Sequence, residues 1–247
     1  MAPFLKLVSL NIEGNKHLER VVPFLEKAEA DVICLQELLE PEFDFLIKKL
    51  GMAGMFAPMT RIGKDEAKNL SGIPAVEGVG FLTRLPFTRI EHRYYAGDHH
   101  PIPHFRPDDM STTNRVVVFG KVRKNDMSFN IATTHFTWTP DGEADDRQRR
   151  DLAGMLQILD EIGDFALTGD FNAPRGREIF NDLSVLYKDN IPNRYTTSLD
   201  PKISRYGDKV SVMVDGLFTT PEYRVENVNL VCGVSDHCAM VGEIYKS

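Results

Sequence analysis

A chain of 247 residues with 42% hydrophobic and 26% charged content has the composition of an ordinary globular protein and excludes a disordered or low-complexity one. Its 29 basic and 36 acidic residues leave a net charge of -7, which excludes a general attraction to nucleic acid or to an anionic membrane. There is no run of about 18 apolar residues and no basic segment leading into a signal-type apolar core, so no integral membrane segment and a cytoplasmic setting are expected.

The run from Phe4 to Ile12 is apolar and β-branched and stops at Asn11-Ile12-Glu13-Gly14, which predicts a strand with a polar end. Leu18, Val21, Val22, Leu25 and Ala28 then mark the stripe of an amphipathic helix. A second buried strand, Asp31 to Leu35, ends in Gln36-Glu37, and Phe43, Leu46, Ile47 and Leu50 repeat the helical spacing. Met52 to Met59 reads as a short strand, Thr60 to Pro74 as a long loop, and Val76 to Thr83 as a strand again.

Arg89 to Tyr95, Arg115 to Arg123 and Met127 to Thr134 continue as strands, with Lys124-Asn125-Asp126 a hairpin connection. Consecutive strands without helices between them imply antiparallel pairing. The loop between Gly97 and Asn114 carries three prolines and the histidines His99, His100 and His104. A helix marked by Leu152, Met155, Leu156, Leu159 and Ile162 follows an acidic loop.

The apolar run Phe165-Ala166-Leu167-Thr168 leads into Gly169-Asp170-Phe171-Asn172, and a weak helix follows around Glu178 to Leu186. If the chain is still extended there, Asp170 and Asn172 share a side. Val210 to Thr219, Tyr223 to Val231 and Ala239 to Tyr245 finish the chain as strands. No linker or repeat divides it, so one domain over residues 1–247, and a monomer, are expected. Two sheets packed face to face with helices outside would bury these faces, an α+β arrangement. Cys34, Cys232 and Cys238 are an odd count in or beside apolar segments and are expected as buried free thiols.

The polar residues at the ends of the apolar runs are oxygen donors and imidazoles. Hard divalent cations take oxygen ligands, and Glu37 ends a buried run, although a solvated edge residue looks the same in sequence. Asn11 fits a turn or helix cap equally well. Asp170 and Asn172 are ordinary turn formers, yet a carboxylate beside a carboxamide can also accept a proton from a held water. Asp215 lies inside an apolar run and needs a partner, for which His237 is the obvious imidazole; Asp236 stands beside it. Glu77 and His135 suggest a second such dyad, and Arg115 either clamps a phosphate or is a surface strand residue.

Leu10-Asn11, Leu35-Gln36-Glu37, Thr134-His135, Gly169-Asp170-Phe171-Asn172, Val214-Asp215 and Ser235-Asp236-His237 together resemble the endonuclease/exonuclease/phosphatase family, the metal-dependent phosphoesterases related to DNase I. The resemblance runs from Leu5 to Ile244. It implies a four-layer α/β/β/α sandwich of two mixed, mostly antiparallel sheets, and a Mg²⁺- or Mn²⁺-dependent hydrolase of phosphate esters. It implies Glu37 as principal metal ligand with Asn11 and Asp236 near the metal or phosphate. Asp170 and Asn172 would position and activate the attacking water. His237, oriented by Asp215, would stabilise the transition state, and His135 would contact the phosphate or assist the leaving group.

The pair Glu77 and His135 is similar to the DNase I and sphingomyelinase branch. Leu38-Leu39 and Val212-Met213-Val214 stand where abasic-site enzymes carry a lysine and a tryptophan, and Val214-Asp215-Gly216 departs from the inositol phosphatase pattern. A phosphodiesterase acting on a phosphate-ester substrate is the leading expectation. A DNA or RNA endonuclease is the alternative, disfavoured by the net charge and by Asp141, Glu143, Asp145 and Asp146 beside the site, and an inactive binding module of the same fold is a third.

Overall fold

Alternation along each strand decides which side chains meet between the sheets and which meet the helices. The computed structural model describes residues 4–64, 74–97, 99–107, 109 and 112–246. In chain order the elements are β1 (Phe4–Asn11), α1 (Leu18–Ala28), β2 (Val32–Leu39), α2 (Glu40–Leu50), β3 (Ala53–Ile62), β4 (Ala75–Thr83), β5 (Phe87–Ala96), β6 (Arg115–Lys124) and β7 (Met127–His135). They continue with α3 (Asp146–Ile162), β8 (Ala166–Asp170), α4 (Glu178–Leu186), β9 (Lys188–Asp189), β10 (Asp215–Thr219), β11 (Tyr223–Val231) and β12 (Ala239–Lys246).

Two six-stranded mixed sheets result, ordered β11-β12-β1-β2-β4-β3 and β5-β6-β7-β8-β10-β9. Near the middle of each lies one parallel pair joined through a helix: β1 and β2 through α1, and β7 and β8 through α3. The other pairings are antiparallel. In β1, Leu5 and Leu7 enter the core between the sheets with Val32, Cys34, Phe81, Phe129 and Ile131, while Val8 and Leu10 meet the helical layer with Val21, Leu25 and Leu46. In the second sheet Val117, Phe119 and Leu167 face Met155, Leu159 and Phe180 of α3 and α4. Three apolar seams separate four layers, so the fold is the α/β/β/α sandwich.

Local chemistry sets several boundaries. Asp145 caps α3, its Oδ1 accepting from the Gln148 N–H at 2.7 Å. Gly51 ends α2 in the left-handed region. Asn125 and Asp126, both at positive φ, make the tight turn between β6 and β7. At Gly169 (φ +145°) an added Cβ would lie 2.0 Å from the Thr134 carbonyl oxygen of β7, a contact with backbone that cannot move without breaking the ladder. Gly169→Ala is therefore expected to cost about 3 kcal/mol or more, read from chemical denaturation.

Three expectations need correction. The run from Val210 is a strand only from Asp215 onward, so Asp215 begins β10 rather than lying within it. Thr60 to Ile62 belong to β3, and of the expected long loop, residues 65–73 lie outside the described ones. Cys232 and Cys238 form a disulfide, leaving only Cys34 free and buried. The two are six residues apart, but β11 and β12 are antiparallel neighbours, and the turn between them brings their Cα atoms to 4.2 Å. Closing so short a loop is worth about 2 kcal/mol. Urea denaturation of a Cys232→Ser/Cys238→Ser variant is expected to show that loss.

Candidate active site

The same alternation that fills the core delivers the polar residues. On the inter-sheet face β1 reads Leu5, Leu7, Ser9, Asn11; β7 reads Phe129, Ile131, Thr133, His135; and β8 reads Ala166, Thr168, Asp170. Each strand passes from apolar through hydroxyl to a site residue at its carboxyl end. β10 runs the other way and places Leu217 and then Asp215 on that face, at its start. Register aligns them, because His135 pairs with Asp170 and Asp170 with Asp215 across neighbouring strands. Beneath them Gln36 spans the sheets, its Nε2 donating to Thr133 Oγ1 at 3.0 Å.

Glu37 reaches the site by a break in this pattern. It is not at the end of its strand, since β2 continues to Leu39. Strict alternation from Val32, Cys34 and Gln36 would turn Glu37 toward the helices and Leu38 inward. A bulge between Leu35 and Leu38, with Glu37 at φ 51°, exchanges them: Leu38 joins the helix-side core and Glu37 is released to the rim. Asn172 departs from expectation in the same way. The chain is not extended past Asp170, because Asn172 sits at φ 50° and its N–H donates to Asp170 Oδ1 at 2.8 Å while Nδ2 donates to the Phe136 carbonyl.

Asp170 Oδ2 is the centre of the cluster. Asn11 Nδ2 donates to it at 3.0 Å and to Glu37 Oε1 at 3.0 Å, tying the two sheets together. The Glu13 N–H donates to Asn11 Oδ1, which fixes the amide orientation and leaves Asn11 holding the carboxylates rather than offering an oxygen beside Glu37. His135 Nε2 lies 3.8 Å from Asp170 Oδ2 and 3.9 Å from Glu37 Oε1. His237 Nε2 approaches Asp170 Oδ2 to 3.8 Å, while its Nδ1 donates to Asp215 Oδ2 at 2.7 Å. Asp215 and His237 are thus the dyad that the sequence suggests.

Burial concentrates these charges. It raises Glu37, helped by the charges of Glu77 and Asp236, to about 8, and raises Glu77 to about 7 against the pull of Arg115. It raises Asp170 to about 6, with Asp215 adding and His237 opposing. Burial, then Arg115 and His237, hold His135 well below the ordinary histidine range, so it is neutral at pH 7. Burial opposes protonation of His237 as well, but Asp215, Asp170 and Asp236 outweigh it and keep the ring charged.

The Glu77–His135 dyad is not formed. His135 Nδ1 is buried without a partner, and the cation acting on Glu77 is Arg115. Arg115 is no surface residue: it is buried at the start of β6 and donates from Nη1 to the His135 carbonyl at 3.2 Å. Ligand atoms of Glu37, His135 and Asp170 lie within 4.8 Å of one another, as do those of Glu13, His17 and Asp236. Asp236 is therefore gathered with Glu13 and His17, whose i, i+4 spacing soon after Asn11 is the sign of them along the chain. In the histidine loop, His99 stacks on Tyr94 and His104 bridges to Arg61; His99, His100 and His104 belong to neither trio.

Crowded carboxylates, one neutral imidazole and one charged one at the rim between two sheets define the class of a phosphoester hydrolase. The model of the endonuclease/exonuclease/phosphatase family matches residues 8–237, and the chain belongs to that family, whose members hydrolyse phosphoesters. No curated protein matches the chain. Among solved structures, it resembles an endonuclease/exonuclease/phosphatase from Bacteroides vulgatus (17% identity, TM-score 0.72, 99% of this chain and 100% of that one). It also resembles a mannosyl-6-phosphatase from Bacteroides thetaiotaomicron (14%, 0.70, 97% and 99%) and the human Nocturnin catalytic domain with bound sulfate (18%, 0.70, 99% and 94%). At these identities the likeness is one of fold.

Proposed function

We propose that the chain, acting as one domain and as a monomer, is a divalent-metal-dependent phosphodiesterase that cleaves a P–O bond by in-line attack of water. The observation that carries this reading is Asp170 Oδ2, held by Asn11 with the Nε2 atoms of both His135 and His237 at 3.8 Å. The carboxylates of Glu37 and Asp170 suit a hard cation, since carboxyls pushed up by burial and neighbouring charge gain most from one, while the nitrogen of His135 is left to the phosphate. Glu37 would hold Mg²⁺ or Mn²⁺, with Asp236 contributing from the side of Glu13 and His17. When bound, the ion supplies charge neutralisation for the phosphate oxygens.

The remaining steps belong to the side chains. Asp170 receives the proton of the attacking water; the Asn172 N–H holds Oδ1 and Asn11 Nδ2 holds Oδ2, and Oδ2, which both histidines approach, keeps a further lone pair for that task. His237, charged and held at Nδ1 by Asp215, presents Nε2 to the negative charge that grows on the transferring phosphoryl group. His135 and Arg115 contact the phosphate, Glu77 balances Arg115, and Asn11 keeps Glu37 and Asp170 at a set separation.

Hydrolysis of bis(p-nitrophenyl) phosphate with added Mg²⁺ or Mn²⁺, abolished by chelation, is the expected result. No turnover across a broad ester panel, together with calorimetry showing no metal binding, would overturn this reading in favour of an inactive binding module of the same fold. Nicking of supercoiled plasmid at low salt separates a nuclease from an enzyme of small esters, and no nicking is expected. No helix among the described residues is long and apolar enough to cross a membrane. For the compartment, the Cys232–Cys238 bridge argues for an oxidising setting over the cytoplasm, and alkylation trapping in cells decides between them.

A further inference from the structure

Beside the catalytic cluster lies a cavity of about 190 Å³ lined by Thr113, Arg115, Thr137, Arg147, Arg150 and Asp151. It adjoins the cluster through two links. Arg115 donates to the His135 carbonyl, and Thr137 lies two residues beyond His135. The first turns of α3 form its far wall, docked by Gln148 Nε2 donating to the Thr137 carbonyl at 2.6 Å and by Arg147 Nη2 donating to the Trp138 carbonyl at 2.8 Å.

Several donor atoms of the wall lack acceptors. Arg115 is 3% exposed and its Nε has no hydrogen-bond partner, and the buried Nε of Arg147 has none. Thr113, 6% exposed, likewise leaves its Oγ1 unpartnered. Arg150 has no hydrogen bond or ion pair among the described residues. The one carboxylate in the wall, Asp151, accepts from Thr137 Oγ1 instead of pairing with an arginine. The lining holds three guanidiniums and one carboxylate; Glu77 acts on Arg115 and Asp145 lies beside Arg147 from outside the lining, which leaves Arg150 without a counter-charge in a chain of net charge -7. Buried donors without partners are costly, and guanidiniums side by side repel, so the arrangement calls for an anion. Of the acidic residues nearby, Asp146 pairs with Arg149 and Glu143 with Arg177, while Asp145, whose Oδ1 caps α3, lies with Oδ2 3.6 Å from Arg147 Nη2 and so offsets that guanidinium from the solvent side without reaching its buried Nε.

We propose that this cavity is a second anion site that takes a phosphate group of the substrate other than the ester being cleaved. This rests on the phosphodiesterase reading for its role, though not for its binding chemistry. The preferred substrate is then a phosphoester carrying an additional phosphate, held by Arg147 and Arg150 while the scissile group lies over Asp170, with Arg115 on the wall between the two.

The test compares thymidine 5′-(p-nitrophenyl phosphate) with and without a 3′-phosphate, using the full chain with Mg²⁺ or Mn²⁺, alongside calorimetric titration with inorganic phosphate. Arg150 is exposed and unpartnered, so Arg150→Gln is compatible with folding, and circular dichroism checks it. Wild type is expected to favour the 3′-phosphorylated ester by about tenfold in kcat/KM, the worth of one charge-assisted hydrogen bond, and Arg150→Gln to lose most of that preference. Arg150→Lys is expected to recover part of it.

Equal turnover of both esters by wild type, with a ratio unchanged in Arg150→Gln, overturns the substrate role. If that result accompanies phosphate binding weakened by Arg150→Gln, the occupant is free phosphate. If neither ester is turned over, the hydrolase reading fails on these esters and the titration decides the cavity alone. Phosphate binding weakened in Arg150→Gln then upholds the anion site, and identical or absent binding in the two proteins removes it.

Discussion

Asp170→Asn is expected to lower kcat for bis(p-nitrophenyl) phosphate by roughly 10²–10⁴, the range for losing a positioned general base, with little change in KM. The substitution keeps size and shape while removing the proton acceptor at the atom that Asn11 and both histidines surround. Metal binding measured by calorimetry should weaken less than in Glu37→Gln, because Glu37, the principal ligand of this reading, is intact. A variant that retains wild-type kcat would sink the assignment of the base, whatever the metal dependence proves to be.

Glu37→Gln is expected to act in the opposite sense on stability and activity. The folded-state pKa of Glu37 is raised to about 8, above its ordinary value of 4.5. Such a group contributes stability that is fully present below about pH 4.5 and is lost as pH rises through about 8. At pH 8 the metal-free wild type therefore carries an unfavourable charge beside Glu77 and Asp236, which the glutamine lacks. In metal-free buffer at pH 8 the variant should be about 4 kcal/mol more stable than wild type, at about 1.4 kcal/mol for each unit by which the fold raises the carboxyl. For a chain of this size that is roughly 8–16 °C in Tm.

At pH 5 the difference should largely vanish, since the carboxyl is then protonated in the fold. Mg²⁺ or Mn²⁺ should raise the Tm of wild type and raise that of the variant far less, with an apparent metal affinity lowered at least ~10-fold. Scanning calorimetry at the two pH values, with and without metal, reads all of this. A variant that is no more stable at pH 8, yet responds to metal as wild type does, would remove Glu37 as the ligand. The two variants also differ in rescue: excess metal should restore part of the activity of Glu37→Gln and none of that of Asp170→Asn.

Much of this site is legible along the chain because strands impose a period of two. Ser9 and Asn11, Thr133 and His135, and Thr168 and Asp170 extend the parity of core residues in the same strands, so knowing that Leu7 or Ile131 is buried already says which way Asn11 or His135 faces. The Asp215–His237 pair is equally readable, since a carboxylate inside an apolar run needs a partner. What the chain conceals are departures from the period. Glu37 has the wrong parity for the site until a bulge reverses it, and nothing in Leu35-Gln36-Glu37-Leu38 announces the bulge. Asn172 has the right parity and loses it to a left-handed turn. Glu77 looked like the partner of His135 from residue types alone, while the fold sets it against Arg115.

The sequence by itself determined the layers, the strand ends and the family, because hydrophobic alternation and residue type are local properties that survive unfolding on the page. The tertiary structure alone decided which distant groups meet. It joined Asn11 to Asp170 across 159 positions, closed Cys232 onto Cys238, and gathered Arg115, Arg147 and Arg150 around one cavity. Such encounters depend on how β6, β7 and α3 dock, and docking is fixed by the whole core rather than by any segment of it.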